Sequence, residues 1–288
     1  MKIGVSSYCF NRLIKAGTYT LFDAIEYTRK TGYDVIEFSD FVPPEGKSLE
    51  EFAGELARAC KAAGLGICNY ATHADFLYGS DGDMKKETAR LKNRVDVAKI
   101  LGSPLMRHDA CWGFKDNAKG RTWRDAVKLM APSIRELTEY AATKGIRTMT
   151  ENHGYFLQDS SRMEELVLAV NHPNYGLLVD MGNFMCADET GIKALATAMP
   201  YAFHVHAKDF LYKSGAEQKP DDSWFPTRGG SHLRGTIVGH GVVSVGQCIR
   251  YIKKTGYTGV LSLEFEGPEE PLEAIRRGYE YLKKFAEE

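Results

Sequence analysis

The sequence lacks several features that would assign it to a common class of protein. It has no long block of like charges, and its 37 basic residues nearly balance its 38 acidic ones. This balance argues against a nucleic acid or a membrane surface as the main partner. No apolar stretch approaches the ~20 residues needed to cross a bilayer, and the opening MKIGVSSYCF lacks the apolar core and cleavage site of a signal peptide. We therefore expect a soluble, cytoplasmic protein.

Paired cysteines and a dinucleotide-binding fingerprint are also absent. The six cysteines lie far apart and form no CxxC pair, which predicts reduced thiols rather than a disulfide framework or a thiolate zinc site. A GxGxxG motif does not follow the first apolar run. Its absence weakens the case for an open sheet that binds a dinucleotide.

Short apolar, β-branched runs alternate along the chain with longer amphipathic stretches. The predicted strands cover residues 2–8, 34–39, 66–71, 104–109, 146–151, 175–180, 201–207 and 259–266. Strands that alternate with helices in this way predict an α/β fold, a (β/α)8 TIM barrel formed as a single domain by residues 1–288, with a doubly wound open sheet as the alternative. Residues 209–240 are rich in glycine, proline and polar residues and are predicted to be a long irregular loop.

Polar side chains stand where four of the later strands end. They are Glu151 in TENHG, Asp180 in LLVDMGN, His206 in HVHAKD and Glu264 in LSLEFEG. In a barrel the carboxyl ends of the strands surround one mouth, so these groups converge. Three carboxylates and one imidazole suit one divalent Mn, Mg, Co or Fe(II) ion with open positions, and are less typical of zinc. His204 and His206 are interpreted as alternating, with only one of them pointing into the barrel.

Five segments of the chain together resemble one family. They are KIGVSSYCF, TENHG, LLVDMGN, HVHAKD and VGHGVVSVGQCIRYIKKTGYTGVLSLEFEG. They resemble the sugar phosphate isomerase/epimerase family of xylose isomerase-like TIM barrels, which includes ketose 3-epimerases, hydroxypyruvate isomerases and inosose dehydratases, with endonuclease IV as a distant relative. The resemblance covers essentially the whole chain. It implies the same four metal ligands, an acid/base pair formed by Glu151 and Glu264, and a homo-oligomer.

The expected function is a metal-dependent sugar isomerase or epimerase of carbohydrate metabolism. Removing a proton from the carbon beside a carbonyl gives an enediolate, which a divalent ion such as manganese stabilises. Three alternatives stay open. The same site permits a lyase or dehydratase acting on a keto-sugar, an inosose or a 3-keto glycoside, and an idle barrel could still bind carbohydrate. An endonuclease IV-like phosphodiesterase needs a histidine near Asn183 and an Asp-x-His triplet, and neither is present.

Further side chains are candidates for contacts with a small carbohydrate because they stand near predicted strand ends or in the long loop. These candidates are His73, His108, Trp112, His153, Asn183, Lys208, Arg234 and His240. Asn183 stands where several relatives carry a histidine that contacts the substrate.

Overall fold

A computed structural model describes residues 1–115 and 120–288. Eight parallel strands form a closed barrel: β1 (Lys2–Ser6), β2 (Val35–Ser39), β3 (Gly66–Thr72), β4 (Leu105–His108), β5 (Arg147–Glu151), β6 (Tyr175–Asp180), β7 (Ala202–Ala207) and β11 (Val260–Leu263). Strand β11 pairs with both β7 and β1, which closes the cylinder. The predicted (β/α)8 barrel is confirmed.

Helices alternate with these strands and cover the outside of the barrel. They are α1 (Asn11–Lys15), α2 (Leu21–Thr31), α3 (Leu49–Ala62), α4 (Met84–Leu101), α5 (Trp123–Thr143), α6 (Ser160–Val170), α7 (Gly191–Ala198), α8 (Val245–Lys254) and α9 (Pro271–Glu287). Helix α2 shows how local sequence sets the bounds: Thr20 and Asp23 form a capping box at its start, and Gly32, with φ of 102°, ends it. None of the helices in the described ranges is long and apolar enough to span a bilayer.

The alternation of side chains along each strand separates an apolar layer from a polar interior. Residues two apart on a strand share a face. In β4, Met106 packs into the apolar core between the barrel and its helices, whereas Arg107 lines a cavity at the carboxyl end of the barrel. The fold therefore places one set of side chains in the apolar core, where they stabilise the protein, and the other set at the mouth of the barrel.

The segment 209–240 is not an irregular loop, so that prediction was wrong. It contains β8 (Asp209–Lys213), β9 (Phe225–Pro226) and β10 (His232–Thr236), and β10 pairs antiparallel with both of the others. The Asp209 carboxylate accepts hydrogen bonds from the backbone amides of Phe210, Gly239, Gly241 and Val243. The sequence did not predict this small sheet because the segment is rich in glycine and polar residues and its strands are short. The buried Asp209 side chain holds the ends of the strands.

Candidate metal centre and active site

The four residues expected at the strand ends lie together in the structure. Glu151 and Asp180 end β5 and β6, His206 lies in β7, and Glu264 follows β11. One ligand atom from each lies within 4.8 Å of the others. His206 Nδ1 is 3.8 Å from Glu151 Oε1, 3.8 Å from Asp180 Oδ2 and 3.6 Å from Glu264 Oε2. Such separations suit atoms that surround one ion, since two ligands each ~2.1 Å from it lie about 3 to 4 Å apart.

Three buried atoms of this cluster make no hydrogen bond within the described part of the chain. They are Asp180 Oδ2 and both ring nitrogens of His206. A buried polar atom that makes no hydrogen bond is costly, because it has lost its contact with water. His206 Nε2 faces Glu37 and Asp180 Oδ2 lies 3.4 Å from Lys208 Nζ. His206 Nδ1 and Asp180 Oδ2 both belong to groups that bind divalent ions, so the donor set fits a cation at this position.

The carboxylates of the cluster are electrostatically unequal. Burial raises the pKa of Asp180 to about 6; Lys208 opposes this shift, and the charges of Glu264 and Glu151 add to it. Burial also acts to raise the pKa of Glu264, but Lys208 and His206 hold that pKa far below its usual range. The Glu264 carboxylate is therefore ionised at neutral pH, whereas the Asp180 carboxylate takes up a proton more readily.

Lys208 and Asn183 hold the cluster in place. Lys208 Nζ lies 2.5 Å from Glu264 Oε2 and 3.4 Å from Asp180 Oδ2, and donates to Asn183 Oδ1 at 3.1 Å. Asn183 Nδ2 donates to Glu151 Oε1 at 3.0 Å, and the Asn183 backbone amide donates to Asp180 Oδ1 at 2.9 Å. Asn183, expected to touch substrate, is buried here and orients two of the four clustered side chains.

A second network joins Glu151 to two imidazoles at the mouth. Arg107 Nη2 lies 2.5 Å from Glu151 Oε2 and 2.7 Å from Asp109 Oδ1. The other side of Asp109 meets both rings, with His153 Nδ1 at 3.0 Å and His73 Nδ1 at 3.2 Å. Sequence analysis selected His108 from LMRHD and missed Arg107 and Asp109. The alternation of β4 was the signal that could have found them.

Glu37 on β2 is another residue that the sequence analysis missed. His204 Nε2 lies 2.9 Å from Glu37 Oε2, and His206 Nε2 lies 2.9 Å from Glu37 Oε1. Both histidines thus face the barrel interior, and the interpretation that only one would do so was wrong because residues two apart share a face. The signal for Glu37 was an acid inside the apolar run DVIEFS.

These groups surround a cavity of about 240 Å³ at the barrel mouth. Its lining consists of Ser6, Tyr8, Ser39, Asp40, Ala71, Thr72, His73, Arg107, Glu151, His153, His206, Lys208, Glu264 and Glu266. The volume lies below the ~300 Å³ at which pockets for drug-sized ligands begin, and each of these lining residues except Ala71 carries a polar group. The cavity suits a small polar molecule.

Five of the eight predicted substrate contacts do not line this cavity: the buried Asn183 described above and four others. His108 is fully buried behind β4, where its ring centroid lies 5.5 Å from that of Phe76, and burial lowers its pKa to about 4. Arg234 lies on β10 with its guanidinium 5.5 Å from the Trp224 ring centroid, and His240 is exposed beyond that strand. Trp112 is half exposed, with its ring centroid 5.2 Å from that of His153. His108 does not line the cavity because its side chain lies on the face of β4 opposite to that of Arg107. Arg234 and His240 do not line it because they belong to the small sheet and to the turn that follows it.

The fold and the cluster together define a (β/α)8 barrel with a carboxylate-rich mouth of the kind that holds a divalent ion. The sequence model of the xylose isomerase-like TIM barrel family matches residues 25–285. The chain belongs to that family, as the motifs in its sequence predicted.

Individual relatives are distant in sequence but nearly complete in coverage. The chain is 24% identical over 271 residues to an inosose isomerase of Halalkalibacterium halodurans, covering 91% of this chain and 88% of that protein. It is 22% identical over 288 residues to an L-ribulose-5-phosphate 3-epimerase of Escherichia coli, covering 95% and 92%. The crystal structure of a xylose isomerase-like TIM barrel protein from Mycobacterium smegmatis in complex with magnesium matches with a TM-score of 0.73 at 20% identity, over 99% of this chain and 96% of that one.

Proposed function

We propose that this protein is a divalent-metal-dependent sugar isomerase or epimerase that acts on a ketose or a related small carbohydrate. The observation that carries the proposal is the convergence of Glu151, Asp180, His206 and Glu264 within 4.8 Å at the barrel mouth. The relatives named as an epimerase and an isomerase support the same class of reaction. His206 Nδ1 and Asp180 Oδ2, which are buried and make no hydrogen bond, support a requirement for a cation.

The same four side chains would hold the ion. Oxygen and imidazole ligands without a thiolate suit Mn, Mg, Co or Fe(II). A dication bound there supplies Lewis-acid stabilisation of the negative charge that develops on the substrate oxygens. With three carboxylates around it, the filled site keeps one excess negative charge, which Lys208 at 2.5 Å from Glu264 offsets.

Glu264 and Glu151 are the groups that would move protons. Lys208 and His206 hold the pKa of Glu264 low, so this carboxylate is ionised and can accept a proton from the carbon beside the carbonyl. Glu151 is oriented by Arg107 at 2.5 Å and by the Asn183 amide at 3.0 Å. Two carboxylates that act on opposite faces of one carbon give an epimer, and one group that serves adjacent carbons gives an isomer.

Solvent exchange tests this function. Manganese-loaded protein is incubated in D2O with a panel of ketoses, inososes and 3-keto glycosides, and the products are followed by NMR and mass spectrometry. We expect deuterium at a carbon next to the carbonyl and a new sugar isomer, with no loss of water or aglycone. Loss of either group as the main reaction would instead assign the lyase chemistry.

Glu37 gives a second prediction, because its carboxylate lies 2.9 Å from the His206 nitrogen that faces away from the cluster. A carboxylate behind a ligating histidine orients the ring, and its loss typically costs 10–100-fold in metal affinity. We therefore expect Glu37→Gln to weaken Mn²⁺ binding by about 10–100-fold, measured by titration calorimetry. Glu139→Gln, on the exposed side of α5, is the control. Unchanged affinity in a folded Glu37→Gln protein would show that Glu37 has no such role.

A further inference from the structure

Both side-chain cations that line the cavity are already paired with acids. Arg107 lies between Asp109 and Glu151, at 2.7 Å and 2.5 Å. Lys208 Nζ lies 2.5 Å from Glu264 and 3.5 Å from Glu266, and also contacts Asp180. A phosphate group of a substrate would have to break these pairs, and the buried Asp109, Glu151 and Asp180 would then lose their partner.

The imidazoles do not supply a free positive site either. His73 and His153 both direct Nδ1 to the one carboxylate of Asp109. Any positive charge on either ring is therefore paired with this acid, which Arg107 also contacts. The third ring of the lining, His206, lies between Glu37 and the proposed ion site.

Acidic groups outnumber basic ones around the cavity. The carboxylates that line it or contact its cations and imidazoles are Glu37, Asp40, Asp109, Glu151, Asp180, Glu264 and Glu266. Two side-chain cations and a bound dication leave an excess of three negative charges when the imidazoles are neutral. A phosphate dianion would add to this excess in a partly desolvated space, where like charges repel strongly.

The hydrogen-bonding character of the lining favours hydroxyl groups. Carboxylates such as Glu266 accept hydrogen bonds and donate none, and Ser39 and Thr72 can do both. A sugar hydroxyl can donate to a carboxylate and accept from a neighbouring hydroxyl. An ionised phosphate only accepts, so it cannot satisfy these acids.

The groove next to the cavity carries two cations of its own. It shares Tyr8 and Glu266 with the cavity and includes Arg12 and Lys15. Arg12 donates to the backbone carbonyls of Gly267, at 3.0 Å, and Glu269. Arg12 and Lys15 are both exposed, and neither lines the cavity itself. Their positive charge therefore lies outside the cavity, on the far side of the acid that the two spaces share.

We propose that the cavity selects an uncharged polyhydroxy ketone and discriminates against the corresponding sugar phosphate. The inference depends on the proposed function for the kind of molecule bound. It predicts that this chain differs in substrate from its Escherichia coli relative, which is named for a phosphorylated ketose.

Binding and turnover are measured separately to test it. Calorimetry on manganese-loaded protein compares ribitol with ribitol 5-phosphate, which cannot react, and deuterium exchange compares ribulose with ribulose 5-phosphate. We expect ribitol to bind about 100-fold more tightly than its phosphate, since a like-charge juxtaposition costs several kcal/mol. Glu266→Gln should reduce this ratio about tenfold by removing one acid, whereas Glu139→Gln should leave it unchanged.

Each outcome has a distinct meaning. Tighter binding of ribitol, without exchange of ribulose or of any member of the panel of ketoses, inososes and 3-keto glycosides, would leave charge selection standing and overturn the proposed function. Equal or tighter binding of ribitol 5-phosphate would overturn the inference while leaving the isomerase proposal intact. If Lys15→Ala then abolished the phosphate affinity, the neighbouring groove would be its site. Failure of both polyols to bind would overturn the inference as well.

Discussion

We expect glutamine in place of Glu264 to lower the rate of solvent exchange into the substrate by about 10³-fold. The amide keeps the size of the side chain but cannot accept the substrate proton. It also removes the charge that faces Lys208 Nζ at 2.5 Å and His206 Nδ1 at 3.6 Å. The rate is measured at saturating Mn²⁺, with the metal content determined on the same sample, so that loss of the base is separated from loss of the ion.

Glu151→Gln should reduce the rate to a similar extent, because Glu151 is the second member of the proposed pair. Glu139→Gln on α5 removes a carboxylate far from the mouth and should keep the parent rate. If a folded protein carrying both Glu151→Gln and Glu264→Gln turned over at the parent rate, the proposed chemistry would be wrong.

Removal of the divalent ion should reduce turnover to background, and readdition of Mn²⁺, Co²⁺ or Fe²⁺ should restore it. The reason is that the negative charge formed next to the carbonyl then has no cation to stabilise it. The ion should also stabilise the fold, by about 2.7 kcal/mol at a concentration 100 times its dissociation constant. The two readouts are turnover and the melting temperature before and after chelation. Full activity in protein shown by elemental analysis to be metal-free would contradict the proposal.

Acid should weaken this metal effect. Burial raises the pKa of Asp180 in the metal-free protein to about 6, above its unfolded value. Protonated Asp180 therefore favours the metal-free fold at low pH, and this contribution is lost as the pH rises through about 6. The ion must displace that proton below this pH. We expect the gain in melting temperature with Mn²⁺ to grow between pH 5 and about 7, and a gain independent of pH would exclude this competition.

The four clustered residues could be predicted from sequence because their positions depend only on topology. Each stands at the carboxyl end of a strand in a pattern of alternating strands and helices, and a parallel barrel brings all such ends to one mouth. His108 shows the limit of this reasoning. It stands at a strand end as Asp180 does, but its side chain lies on the opposite face and packs near Phe76.

The small sheet shows a different limit. Strand β9 has only two residues, and its partner β10 joins it through His232 and Leu233. Such short pairings leave almost no periodic signal in the sequence. They form because β8 continues the chain directly after β7 and the Asp209 carboxylate holds the amides of the returning loop.

The order of apolar and polar residues by itself determined the barrel, the helices around it and the end at which charged groups gather, because these depend on local periodicity and on chain direction. Only the tertiary structure decided which acid meets which base. Glu37 contacts His204 and His206, and Arg107 joins Glu151 to Asp109. Most of these partners come from different strands, so their distances depend on strand register and side-chain face, which the spacing along the chain does not contain.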